Sequence, residues 1–368
     1  MGKTLHSFGR AALLALGALV LVGCGRSESR APSYNLDACK RVDLINAESG
    51  LLVRGAEDIA IDWEGGRVFV SAYDRRAVEA AARRGVHTLP EGGIYAVPLA
   101  DLFEADRGAP LPVTSLVAAS DVAGGLHPHG LTLDANSGEL FFINRAYARD
   151  GKKWRMAPEL RRIGVNGEAI VGPSMRAPCA ANNLIVSPHG AHKLLTTFDH
   201  HQCDWRAGAE DVFSLKRSGV ATLGGDILFN DLSYANGVAR AGAGKIAVGA
   251  TRENAVVLLD EKEGGVWGEH RRVKTSGAPD NLTEAADGAL VAALHPSLMR
   301  LALNRKLGLG KAPSRIVKID LMSGRETLLF DDPKGALFSA ATVGVETDAG
   351  LIAGSVTDQG LLVCGANE

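Results

Sequence analysis

The sequence predicts an all-β fold, a six-bladed β-propeller with short helical inserts on one face. Three observations carry this. A polar residue, an apolar stretch, a turn and a second apolar stretch recur in that order six times along the 368 residues. The copies begin at intervals of roughly 45 to 70 residues, which suits propeller blades carrying insertions. Further strand-like runs lie between them, giving about four strands per blade.

The first copy is Glu57-Asp58-Ile59-Ala60-Ile61 then Val68-Phe69-Val70, joined by Glu64-Gly65-Gly66. Two apolar runs flanking such a turn read as a β-hairpin. The second is His129-Gly130-Leu131-Thr132-Leu133 then Leu140-Phe141-Phe142, across Asn136-Ser137-Gly138. The third is Asn182-Asn183-Leu184-Ile185-Val186 then Leu194-Leu195, with His189-Gly190 between. The fourth, Asn236-Gly237-Val238 then Ile246-Ala247-Val248, turns at Gly242-Ala243-Gly244, and the fifth, Asp280-Asn281-Leu282 then Leu290-Val291, at Asp287-Gly288. A looser sixth starts near Ser339, with Val343-Gly344-Val345 then Leu351-Ile352 across Asp348-Ala349-Gly350. Outer strands are expected at 93–97, 168–171, 211–215, 256–259 and 315–319.

Two stretches break the β pattern. Residues 76–84 are strong helix formers ending at Gly85, and 298–307 is helix-prone, basic and apolar, with a Gly308-Leu309-Gly310 stop. Each follows the second strand of its hairpin. Both are therefore expected on the face where the polar leaders emerge, as walls or a lid, or as solvated connections. Contact of the second with a membrane is a weaker alternative.

Ahead of the repeats, Lys3 and Arg10 precede a short apolar run ending in Leu21-Val22-Gly23-Cys24. That order marks a secretory signal, and a cysteine at the cleavage point matches a bacterial lipoprotein signal. The apolar run falls short of the ~20 residues that span a bilayer. The expected division is a leader at 1–23, a lipidated Cys24 with a flexible tether at 24–38, and a propeller at 39–368. Gly25 after the cysteine favours the outer membrane, facing the periplasm or the cell surface. A formal charge of −2 and 5% aromatic residues exclude nucleic acid as a partner, and 46% apolar content supplies a large core.

Four further cysteines suit an oxidising compartment and allow three pairings. Cys39 and Cys364 stand at the two ends of the repeat array, so a bridge between them would close a ring. Cys179 and Cys203 would then pair across the third unit, or remain free buried thiols.

If the copies are arranged radially, their polar leaders converge. Glu57, Asn182, Asn236, Asp280 and Asn281 offer two carboxylates and three amides, a donor set that suits Ca²⁺ with its 6–8 oxygen ligands. Asp58 and Asn183 would point one step away, toward a second cation. Zinc patterns are absent. Asn and Asp at strand entries also cap turns, but five oxygen side chains at one phase favour a metal. His129, at the second leader position, titrates near neutral pH and is the candidate general base, with Glu57 as the alternative. His200, Tyr234 and His295 are candidates for the substrate pocket. No nucleophile elbow or Cys–His pairing is evident, which disfavours covalent catalysis.

These residues resemble the paraoxonase/arylesterase family, within the wider group of gluconolactonase and strictosidine-synthase-like propellers. The resemblance spans residues 39–364. It rests on Gly55-Ala56-Glu57-Asp58-Ile59, Pro128-His129-Gly130, Asn182-Asn183, Ala235-Asn236-Gly237, Asp280-Asn281 and His295-Pro296 in order, with Cys39 and Cys364 matching the family's ring-closing disulfide. It implies a six-bladed propeller with two calcium ions in the central tunnel. The catalytic ion would be held by Glu57, Asn182, Asn236, Asp280 and Asn281, the structural one by Asp58, Asn183 and the backbone carbonyl of Leu131. Family members hydrolyse lactones and aryl esters, some with organophosphate side activity. Two positions depart from the pattern. Arg145 stands where a second histidine orients the first, and a guanidinium cannot take that role. Asn183 replaces an aspartate, so the second calcium should bind more weakly. The expectation is a calcium-dependent lactone or aryl-ester hydrolase. Its rivals are a single-metal sugar lactonase and a non-catalytic periplasmic binding module with structural calcium.

Overall fold

The computed structural model of the chain describes residues 31–151, 153–166, 175–187 and 194–366. The leader, Cys24, the strand expected at 168–171 and the turn at His189-Gly190 lie outside the described residues.

Six antiparallel sheets form the ring, and their innermost strands pack side by side around the axis. The inner strands are Ala56–Asp62, Pro128–Asp134, Ala181–Val186, Ala235–Arg240, Ala278–Glu284 and Ala341–Thr347. Each pairs with the second strand of its hairpin as the sequence pattern requires. Those second strands are almost wholly buried, because both faces pack against neighbouring blades: Val68, Phe69 and Val70 have no exposed surface. One apolar cluster joins the first blade to the last, bringing Val70 and Val97 together with Val343, Ile352 and Leu361.

The last blade is completed by the first strand of the chain. Cys39–Val42 pairs with Leu361–Gly365, setting Cys39 opposite Cys364, and a disulfide joins the two across 325 residues of sequence. A second disulfide links Cys179 and Cys203.

Every inner strand loses register with its partner at the same place. The shifts fall between Ala56 and Asp58, Pro128 and Leu131, Ala181 and Leu184, Ala235 and Val238, Pro279 and Leu282, and Ala341 and Val343. A bulge bends the strand and re-aims its side chains. Here the bulges fall on the leaders, so this irregularity is what delivers them to the axis. The sixth such position is Thr342. Ser339, taken from the looser sequence repeat, precedes the bulge and is tied up locally, its N–H donating to Asp358 Oδ2 at 2.8 Å and its Oγ accepting from the Ala312 N–H at 2.9 Å.

Hydroxyl groups stitch blade to blade beside the bulges. Ser71 donates to the His129 carbonyl, Thr197 to that of Asn236, Thr251 to that of Pro279, and Thr342 to that of Glu57. The approach is close enough to demand glycine at two leader positions. A Cβ on Gly130 would sit 2.6 Å from the Asn182 carbonyl oxygen, and one on Gly237 would sit 2.5 Å from that of Asp280.

The two helical inserts form as expected. Arg75–Arg84 is capped by Asp74 and stopped by left-handed Gly85. Leu298–Ala302 is capped by Ser297 and runs on through a wider turn, Leu303–Leu307, to Gly308. The strand expected at 211–215 is not present. Arg206–Phe213 is a helix, and the third strand of that blade is Ser218–Thr222. The apolar pair Val212-Phe213 misleads because both residues face solvent while Glu210 is buried, accepting the His201 N–H at 2.9 Å. In the second blade the outer strands are Glu159–Gly164 and Met175–Arg176. A hairpin at Tyr147–Asp150 and Lys153–Met156, and a parallel rim strand at Leu44–Asn46, were not expected. Packing also begins before residue 39: the amides of Ser33 and Tyr34 donate to the Leu328 and Leu329 carbonyls at 2.9 and 2.8 Å. Ordered packing thus reaches into the segment expected as a tether, 24–38.

Candidate active site

The bulges sort the leaders between two cavities. Glu57, Asn182, Asn236 and Asp280 line a small pocket of about 100 Å³ on the face that carries the inserts. Asp58, Asn183 and Leu131 line a wider cavity of about 750 Å³ that fills the other end of the tunnel. Asn281 lies between, accepting from Asn183 Nδ2 at 2.7 Å and donating to the Glu57 carbonyl at 3.0 Å. The larger cavity is of mixed character, with Asp58, Arg240, Glu284, Lys318 and Glu346 among its lining residues; the smaller one, where four leaders meet His295 and Arg75 beside the inserts, is the better candidate for chemistry.

The pocket wall is pre-set by hydrogen bonds. Asp280 Oδ2 is 2.6 Å from His295 Nε2. Asn182 Nδ2 donates to Asp199 Oδ2 at 3.3 Å, and Asp199 Oδ1 meets His200 Nδ1 at 2.7 Å. His200 Nε2 in turn lies 3.2 Å from Asp211. Burial opposes charge on His200, but the two carboxylates outweigh it and lift its pKa to about 10. Tyr234 and His295 line the pocket, while His200 stands behind it with its ring against Tyr234.

His129 also stands behind the wall. It is 1% exposed and does not line the pocket. Its Nδ1 lies 3.0 Å from Glu57 Oε2 and its Nε2 3.1 Å from Asn182 Oδ1, so it bridges two leaders. Burial, then the charge of Arg145, pushes its pKa down, while Glu57 pulls the other way. Arg145 is itself buried, with its Nε lacking a hydrogen-bond partner. Burial would raise the Glu57 pKa, but His129, Arg75 and Arg145 together hold it well below the usual carboxylate range.

The donors fit a hard cation. The Asn236 side-chain oxygen is buried without a partner. Asp58 is pushed up to about 8, first by burial and then, against two backbone hydrogen bonds, by the charges of Glu57 and Asp280. A nearby cation reverses such a shift. Among the described residues no group of three or more His, Cys, Asp or Glu side chains is arranged to hold a metal. The set here is half amide, which favours calcium over zinc. At Leu131 the contact is through its N–H, donated to Asp58 Oδ2 at 2.9 Å.

Both inserts reach the pocket: Arg75 comes from the first, and Leu298, Leu301, Ala302, Arg305 and Lys306 from the second. Sequence reasoning placed the inserts on this face but not these arginines in the site, since nothing in their spacing relates two residues so far apart in the chain.

The chain matches no protein-family model and no curated protein. Solved structures do match. One is a presumed gluconolactonase at 13% identity, covering 90% of this chain and 94% of that one with a TM-score of 0.51. The likeness shows the fold. A gluconolactonase from Xanthomonas campestris matches at 17% identity over 88% of this chain and 95% of its own, TM-score 0.46. An aldose sugar dehydrogenase from Streptomyces coelicolor, bound to PQQ, matches at 13% over 88% and 97%, TM-score 0.49.

Proposed function

We propose that the protein is a calcium-dependent hydrolase of lactones, with aryl esters as poorer substrates. It would be carried on the membrane by the lipid that the Leu21-to-Cys24 motif implies. The observation that supports this most is the convergence of Glu57, Asn182, Asn236 and Asp280 on one small pocket, with an unpartnered amide oxygen among them. A calcium ion bound there would polarise the ester carbonyl and stabilise the developing oxyanion.

The chain's own groups supply the rest. Glu57 opens on the pocket and is held ionised, so its carboxylate orients the attacking water by accepting a hydrogen bond from it, and the water's proton passes to the leaving alkoxide oxygen as the acyl C–O bond breaks. His129 is a positioning residue, holding Glu57 and Asn182 from behind. His295 fixes Asp280 in the same way. The second insert lines the pocket with Leu298, Leu301 and Ala302, which gives one wall an apolar surface. A cavity of about 100 Å³ is smaller than a drug-sized cleft, and favours a compact lactone ring over a bulky aryl ester.

A panel of lactones and aryl esters, with and without chelator, tests the reading. Asn236→Ala and Asp280→Ala should each cut kcat/KM by about 100-fold or more. Full activity in both variants, or in chelator, would sink it. The presumed gluconolactonase of like fold favours a second reading, a sugar lactonase with one metal. Two bound calcium ions per chain would argue for the first, one for the second.

A further inference from the structure

Positive charge in the pocket exceeds what its carboxylates can balance once Glu57 and Asp280 are committed to a cation. Arg75 and Arg305 reach in from the two inserts, with side chains 16% and 19% exposed. They share one carboxylate. Arg75 Nε donates to Glu79 Oε1 at 3.0 Å, and Arg305 Nη1 lies 4.0 Å from the same oxygen. Arg75 Nη1 is 3.8 Å from Glu57 Oε1, too far for a hydrogen bond. Arg252, also on the wall, is already paired with Asp211 at 3.2 Å.

Glu79 balances only one of the two guanidinium charges, so the pair carries a net positive charge into a half-closed pocket, a cost that a bound anion would offset. Guanidinium forks match carboxylate and phosphate oxygens bidentately, and a neutral ligand would leave those donors unused. We propose that Arg75 and Arg305 form an oxyanion subsite, so that the substrate carries a carboxylate or phosphate group beside the bond that is cleaved. The inference rests on the hydrolase reading for the cleaved bond, but not for the anion itself. The small pocket limits the substrate to a compact acid.

Calorimetric titration of the full calcium-loaded protein with succinate, and separately with methylphosphonate, tests the subsite without turnover. Wild type should bind at least one, and the tighter of the two names the anionic group. Arg305→Gln should weaken that binding by about 10- to 100-fold, with Arg305→Lys falling between. In parallel, the ratio of kcat/KM for a carboxylated γ-lactone over its methyl ester should fall by a similar factor in Arg305→Gln. Failure of wild type to bind either anion overturns the proposal. So does an Arg305→Gln protein that melts lower yet keeps the wild-type ratio, since the arginine would then serve only to hold Glu79. Anion binding without hydrolysis of any ester would support the subsite and sink the hydrolase reading alone.

Discussion

Each oxygen donor but one at the tunnel's centre is held by a neighbour before any ligand arrives: Glu57 by His129, Asp280 by His295, Asn182 by His129 and Asp199. Asn236 is the exception. Leaders of this kind are legible in sequence because they recur at one phase of a repeat. The way they point is not, since a bulge depends on how two strands pair rather than on the residues of one. His129 illustrates the difference: its place at the axis follows from the repeat, its burial behind Glu57 does not. His200 supports a prediction of its own. Its pKa, raised from an ordinary 6.5 to about 10 by Asp199 and Asp211, means the folded state holds its proton more tightly than the unfolded chain. That stabilisation is complete below pH 6.5 and is lost as the pH rises through 10. Melting temperatures taken between pH 6.5 and 10 should therefore decline, and the decline should be shallower in His200→Gln. Parallel curves for the two proteins would refute the assignment.

Among the elements, the hairpins and the third strands expected at 93–97, 256–259 and 315–319 are readable because each carries its own apolar run; the fourth strands of the blades are not. The helix Arg206–Phe213 is not, since Val212-Phe213 with Leu215 reads as a short apolar run and only the burial of Glu210 reveals the helical face. The parallel rim strand Leu44–Asn46 was equally hidden, as its partner Leu111–Ser115 lies far along the chain. Closure of the last blade is the element whose contribution is easiest to measure. The Cys39–Cys364 bridge spans 325 residues, the Cys179–Cys203 bridge 24. In the chain-entropy view the longer loop should stabilise by about 2 kcal/mol more. Denaturant unfolding of Cys39→Ser/Cys364→Ser beside Cys179→Ser/Cys203→Ser should show that ordering. Equal losses would mean that strand pairing, not the covalent link, holds the ring shut.

For the molecule as a whole, the plug of leaders ties all six blades together, so a cation bound there should be felt in global stability. A ligand at about 100 times its Kd adds about 2.7 kcal/mol. Chelator should therefore lower the melting temperature by on the order of 5 °C, with calcium restoring it better than magnesium. An unchanged melt would argue against both ion sites. The pairing of Cys39–Val42 with Leu361–Gly365 carries one more consequence, for the order of events in time. A ribosome releases the two halves of this sheet at opposite ends of synthesis, so the earliest strand must wait, unpaired, for the latest. Contacts so distant in sequence form slowly. The chain therefore cannot lock into its final shape until all of it has been made.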